Sequence, residues 1–263
     1  MPLPPSFEAR LISVRALTPS VRELTFERVD GTPLVFEPGQ WVNAMMPIAS
    51  GEATELKRSY SIASPPDGTP RFSTAVTRVQ GGPGSTWLHE AAAGASLRFV
   101  GPQGFFTRPV AGAPPSLMVC TGTGVTPMRS MLLAALAAGS RVPVWILLGV
   151  RHEEDLVYAD ELRAAAAANP FVRFEATLSQ PRGPWPGRRG YVQAHVRAMW
   201  DDLTASVAAA GNVDVDANLD VDASASEPHA YVCGLERMVG SVRELLRKDM
   251  GLPRQRVHTE RYD

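Results

Sequence analysis

Over the first hundred residues, apolar and polar positions alternate in short runs broken by glycine or proline. Arg10–Ala16, Val21–Val29, Trp41–Met46, Lys57–Ala63, Arg71–Val79 and Leu97–Val100 each read as a strand, and Ser85–Ala92 as the one plausible helix among them. That rhythm predicts a small antiparallel β-barrel over residues 1–110. Ala111-Gly112-Ala113-Pro114-Pro115 then reads as a linker, because paired prolines and small residues suit neither a helix nor a central strand.

Over residues 116–263 the rhythm changes to strand–helix alternation. Leu117–Cys120 leads into a helix Thr126–Ala138, Val142–Leu148 into Glu153–Ala168, Val172–Leu178 into Val192–Met199, and Ala230–Cys233 into Glu236–Asp249. Arg256–Glu260 follows as a last strand. Such alternation predicts an α/β domain with a parallel sheet covered by helices on both faces. Ala205 to Glu227 does not fit. Its Val/Asp alternation from Val213 to Asp222 could be a strand. Its spaced aspartates are a poor calcium loop, lacking the turn glycine and the later glutamate. With no aromatic residue and a run of acids, it reads as an exposed, mobile insertion.

At 263 residues with 44% hydrophobic positions, the chain can bury the cores of two modest domains. A net charge of −1 gives no general attraction to nucleic acid or to an anionic membrane. Cys120 and Cys233 lie far apart, which argues against an iron–sulfur cluster or a cysteine-based zinc site. The N-terminus has no leader-like pattern and the longest apolar run is too short to span a bilayer. A cytoplasmic location without membrane insertion is the resulting expectation.

Two stretches carry candidate chemistry. Cys120-Thr121-Gly122-Thr123-Gly124-Val125-Thr126-Pro127 follows an apolar strand and opens a helix. Its glycines would let backbone approach a phosphate, with Thr126 as helix cap and Pro127 in the first helical position. A second glycine loop, Gly81-Gly82-Pro83-Gly84-Ser85-Thr86, again precedes a short helix. Arg58-Ser59-Tyr60-Ser61 lies on a barrel strand, where Arg58 and Tyr60 share one face and Ser59 and Ser61 the other. Taken singly, each has a bland alternative: a ligand-free turn, or a half-buried strand with an amphipathic tyrosine.

Together and in this order, the motifs resemble the ferredoxin–NADP⁺ reductase family over nearly the whole chain. These flavoenzymes join an FAD-binding β-barrel to a nucleotide-binding α/β domain. The resemblance implies FAD held by Arg58, Tyr60 and Ser61 on their strand with Ser59, and by Gly82, Gly84, Ser85 and Thr86. It implies a nicotinamide dinucleotide held by Gly122, Thr123, Gly124, Val125, Thr126 and Pro127. Tyr231-Val232-Cys233-Gly234 is similar to the family's Cys-Gly motif, and Glu260-Arg261-Tyr262 to its terminal Glu-x-aromatic, although Asp263 extends past Tyr262. Ser61, Cys233 and Glu260 are the residues so implied beside the flavin N5. A buried strand-end cysteine is otherwise a small hydrophobe.

The family's Ser-Arg grip on the 2′-phosphate of NADP stands here as Ser179-Gln180. Arg182, Arg188 and Arg189 could compensate, or could be surface arginines on a solvated loop. Arg151 occurs, by the resemblance, in NADH- and NADPH-using members alike, so either coenzyme fits, with a lean to NADPH. The implied activity is hydride passage between NAD(P)H and FAD, then single electrons to a protein: ferredoxin, flavodoxin or an oxygenase component. A flavin-binding electron-transfer subunit that does not turn over, and a nucleotide-binding module without flavin, are the rival readings.

Overall fold

The computed structural model describes residues 4–48, 54–211 and 227–262. Two compact units are present, residues 1–109 with 126–138 and residues 110–125 with 139–263. In the first, β1 (Ser6–Ala16), β2 (Val21–Arg28), β3 (Trp41–Met46), β4 (Leu56–Ser61), β5 (Arg71–Thr77) and β6 (Ser96–Gln103) form one antiparallel sheet in the order β4-β3-β6-β1-β2-β5. The sheet curls shut beyond β4: Ala63 N–H donates to Ser73 O at 2.7 Å and Thr74 Oγ1 to Ser61 O at 2.9 Å. Inside, Phe7, Phe26, Phe72 and Phe99 pack ring against ring, with centroids 4.9 to 5.9 Å apart. Helix α1 (Pro83–Glu90) starts two residues earlier than the pattern suggests, because proline is well suited to a first helical turn.

In the second unit β7 (Ser116–Thr121), β8 (Val144–Val150), β9 (Val172–Leu178), β10 (Arg188–Arg189), β11 (His229–Leu235) and β12 (Val257–Tyr262) form a parallel sheet ordered β10-β9-β8-β7-β11-β12. The chain runs outward from β7 to β10 and returns to the other side of β7 as β11. The loops after β7 and β11 therefore flank a topological switch point, where open α/β sheets take ligands.

Several local expectations need correction. The loop after β7 is itself a 3₁₀ turn, Gly122–Gly124, that runs straight into α2 (Val125–Ala137). Thr126 is thus inside the helix rather than its cap, and Pro127 is tolerated because first-turn N–H groups lack intrahelical acceptors. The expected helix Glu153–Ala168 is split. A turn at Glu153–Asp155 is closed when His152 N–H donates to Asp155 Oδ2 at 3.1 Å, and α3 (Ala159–Ala168) begins only after Tyr158, whose φ of 58° no helix accepts.

Helix α4 (Gln193–Gly211) is far longer than expected, so residues 205–211 of the supposed insertion are helical, with Val207 packed on the core. Their alanine-rich sequence favours this state. The Val/Asp stretch lies outside the described residues. Helix α5 (Glu236–Glu244) ends in a widened turn, Leu245–Asp249. The strand β10 was not anticipated.

Candidate functional site

At the switch point the two loops interlock. A Cβ on Gly124 would lie 2.3 Å from Cys233 O, and one on Gly234 would lie 2.3 Å from Thr121 Oγ1. Only glycine allows either approach, and Gly234 has a φ of 148° besides. Cys233 sits in this junction fully buried, opposite Cys120 on β7 and Glu260 on β12. Burial pushes its thiol well above the ordinary value, the Glu260 charge pushes it further, and a hydrogen bond with Tyr262 partly offsets both. The structure thus brings Cys233, Gly234, Glu260 and Tyr262 together with Gly122, Thr123 and Gly124.

Farther along the same sheet edge, Ser179 N–H donates to Val150 O at 3.0 Å and Gln180 N–H to Arg151 O at 2.9 Å. Arg151 and Arg189 are exposed, whereas Arg182 is paired with Glu154 at 2.6 Å and Arg188 with Glu175. Among the described residues, the buried polar side-chain atoms without a hydrogen-bond partner are Thr121 Oγ1, Thr126 Oγ1, Glu153 Oε1 and Gln193 Oε1. Thr121 is the last residue of β7, and the other three follow the carboxyl end of a strand in chain order. Buried polar atoms are rarely left unpaired, so the set marks this edge as shaped for a polar ligand. Sequence reasoning passed over Thr121, Glu153 and Gln193, because local pattern does not reveal which polar atoms become buried.

In the barrel unit, Arg58 and Ser59 are exposed, Tyr60 is half-buried and Ser61 is buried. Burial raises the Tyr60 hydroxyl to about 12, against the opposing pull of Arg58, so it stays a neutral phenol. Ser59 Oγ donates to Asn43 Oδ1 at 2.9 Å across β3 and β4. A Cβ on Gly84 would meet Met46 Cε at 3.0 Å and the Cγ of Arg58 at 3.3 Å, so α1 lies close against β4 beside the arginine stem.

Ser85 Oγ accepts from Val79 N–H at 3.0 Å and donates to Gly82 O at 3.1 Å, so its hydroxyl shapes the loop. Thr86 N–H closes the first turn on Gly82 O at 3.0 Å. The helix start has neither a side-chain cap nor an acidic residue in its first turn, which leaves donors and positive potential for an anion.

Residues 8–107 match the oxidoreductase FAD-binding domain model and residues 118–244 the oxidoreductase NAD-binding domain model. The chain is 53% identical over 257 residues to ferredoxin–NADP reductase B of Sorangium cellulosum (strain So ce56), covering 98% of each chain. The chain belongs to the ferredoxin–NADP reductase family. It is also 29% identical over 244 residues to the toluate 1,2-dioxygenase electron transfer component of Pseudomonas putida, covering 92% of this reductase but 63% of that component. The ferredoxin reductase of a carbazole 1,9a-dioxygenase system shares the fold, with a TM-score of 0.78 at 22% identity over 100% of this chain and 70% of that one.

This reductase is therefore an oxidoreductase with FAD- and NAD-binding domains, and its residues fit both groups. The cradle formed by Gly84 with Arg58 suits a pyrophosphate, and the orphaned atoms of the parallel edge suit a dinucleotide. No helix among the described residues is long and apolar enough to cross a membrane.

Proposed function

We propose that this reductase passes hydride from NAD(P)H to FAD and then delivers single electrons to a protein acceptor, the two-to-one electron conversion being the chemistry that bound FAD supplies. We assign FAD to residues 1–110 and the dinucleotide to residues 116–263. The observation that carries the reading is the interlock of Gly124 with Cys233 and of Thr121 with Gly234 at the switch point. It seats a neutral thiol, a carboxylate on the neighbouring strand and a phosphate-ready glycine turn in one small volume.

On this reading Arg58 binds the FAD pyrophosphate, Tyr60 covers the ring system with a neutral phenol, and the buried Ser61 offers its polar group near N5. Cys233 holds the nicotinamide at its approach, while Glu260 orients it and supplies a protonatable group. Gly122 to Pro127 carry the coenzyme pyrophosphate. Ser179, Arg151 and Arg189 of β10 take the adenosine 2′ end, and the exposed Tyr191 offers adenine a flat aromatic face. These assignments draw on the family membership and on the placement of each residue.

Ferredoxin is the acceptor favoured by the likeness to a protein named ferredoxin–NADP reductase; flavodoxin belongs to the same acceptor class. The likeness to oxygenase electron transfer components supports an oxygenase partner as the second reading. A cytoplasmic location accompanies either, in keeping with two free thiols. The test is anaerobic stopped-flow reduction with NADPH and NADH in parallel, followed by mixing with purified ferredoxin, flavodoxin or an oxygenase component. Coenzyme-driven reduction that passes to ferredoxin supports the proposal. A protein that holds FAD yet is not reduced by either coenzyme would be a non-catalytic subunit.

A further inference from the structure

The two arginines of β10 stand in different circumstances. Arg188 Nε donates to Glu175 on β9, whose carboxylate also accepts from Arg173 at 2.5 Å. Arg188 further approaches His195 Nδ1 at 3.5 Å. Arg189 is exposed, and its guanidinium has no polar partner among the described residues. Successive strand residues point to opposite faces, so the two guanidinium groups cannot serve the same site.

The face that carries Arg188 is tied to α4. Arg173 pairs with Asp202 at 3.2 Å and lies over the Trp145 ring at 4.6 Å. His195 Nε2 donates to Arg189 O at 2.9 Å, which leaves Nδ1 as the acceptor toward Arg188, so one imidazole tautomer satisfies both contacts. Thr177 Oγ1 donates to Gly190 O at 2.8 Å, and Gly190 N–H to Leu178 O at 2.9 Å. The carbonyls of Arg189 and Gly190 are therefore both fastened from the network side. Burial opposes charge on Glu175, but its hydrogen bonds and charge pairing with Arg188 and Arg173 prevail and hold it below the usual carboxylate range.

We propose that Glu175 is a positioning residue for coenzyme selection: through Arg188 and His195 it fixes the Arg189–Gly190 backbone, so that Arg189, and not Arg188, meets the 2′-phosphate. This rests on the assignment of the Ser179 edge to the adenosine end of the coenzyme. Across the sheet, Leu178 of β9 pairs with Val150 of β8 on one side and with Arg189 on the other. Arg151, one residue beyond Val150, and Arg189 thus flank the strand end that carries Ser179. A flexible arginine held at one backbone position presents its planar fork at one distance from a phosphate, and that preorganisation is what the network supplies.

The test uses holoenzyme and two probes, 2′,5′-ADP and 5′-AMP, with KM and kcat for NADPH and thermal unfolding as companions. Glu175→Gln, close in shape but uncharged, is expected to weaken 2′,5′-ADP binding by on the order of tenfold, the loss of about one charge-assisted contact. Binding of 5′-AMP should change much less, and KM for NADPH should rise by a larger factor than kcat falls. Arg188→Gln, at the other end of the pair, is expected to give the same selective pattern, which guards against a fold defect peculiar to one variant.

Equal weakening of both probes would overturn the proposal, since it would make the network a general support. So would tighter 2′,5′-ADP binding in Glu175→Gln, since a released Arg188 would then be a phosphate ligand. Arg189→Ala separates the two levels of argument. If it leaves 2′,5′-ADP binding intact, the adenosine-end assignment fails; if it weakens binding while Glu175→Gln does not, only the positioning role fails.

Discussion

Cys233 on β11 and Glu260 on β12 are register partners on neighbouring parallel strands, so a carboxylate stands beside a thiol that burial already holds in its neutral form. Gly124 closes on the same residue, since a Cβ there would lie 2.3 Å from Cys233 O. If this thiol sets the approach of the nicotinamide, Cys233→Ser should keep the fold and its FAD but slow hydride transfer. Reacting atoms must be held about 3 to 3.5 Å apart, and an error of about 1 Å costs on the order of a hundredfold. Single-turnover reduction and thermal unfolding on one preparation decide the matter, and an unchanged hydride rate would remove Cys233 from the site.

Burial pushes the thiols of both Cys120 and Cys233 well above their ordinary value. In the unfolded chain they ionise near about 8.5 while the folded protein keeps them protonated, so the unfolded state loses protons first. Stability from this source is full below about pH 8.5 and declines as pH rises, by roughly 1.4 kcal/mol per pH unit for each thiol. Denaturant midpoints should fall from pH 7 to 9.5 in the parent, and Cys120→Ala should flatten that slope despite lowering stability at pH 7. Iodoacetamide should label the native protein slowly and the denatured protein fast; rapid native labelling would show the thiols to be accessible.

Arg58 lies on the edge strand of the barrel sheet and is exposed, with Nη1 on its neighbour's carbonyl, Lys57 O, at 2.8 Å. Such a contact leaves most of the guanidinium fork free for an anion. Arg58→Ala should weaken FAD retention by roughly tenfold to a hundredfold, from the loss of about 1.5 to 3 kcal/mol of charge-assisted hydrogen bonding. Flavin fluorescence during dilution measures this. Parental affinity in the variant would make Arg58 an ordinary surface residue.

A cut at the end of α4 should be tolerated only if it spares the helix. Joining Ala205 to Glu227 removes Val207, a partly buried contact of the second core, so that variant should melt at lower temperature than one joining Gly211 to Glu227. Dye reduction in the longer variant should stay near the parent. Equal melting of the two would show that the last turns of α4 contribute nothing.

Much of this was legible in the residues themselves. Trp41–Met46 and Val172–Leu178 were placed to the residue, since apolar runs bounded by proline, glycine or asparagine leave little freedom in where a strand ends. The order of the motifs likewise conveyed both cofactors. What local pattern could not show was long-range or conformational. Glu175 and Arg188 are 13 positions apart and pair only because β10 joins β9, and Tyr158 breaks a helical run by adopting a positive φ. Thr126 looked like a cap because nothing in its neighbours reveals that Gly122–Gly124 already coils.

The glycines of that turn offer the sharpest contrast. At Gly124 a methyl group would lie 2.3 Å from Cys233 O and 2.7 Å from its carbonyl carbon, and both are backbone atoms that cannot swing aside. At Gly122 a methyl group would meet nothing within 4 Å, and the only obstacle is a φ of 53°, which costs an L-residue roughly 1 to 2 kcal/mol. Gly124→Ala should therefore pry the β7 and β11 loops apart and abolish reduction by NAD(P)H while leaving FAD on the barrel. Gly122→Ala should lower stability by about the left-handed cost and keep measurable turnover. Flavin content, coenzyme binding and stopped-flow reduction of the two variants compare these outcomes, and a Gly124→Ala protein that turns over like the parent would break the link between loop interlock and coenzyme site.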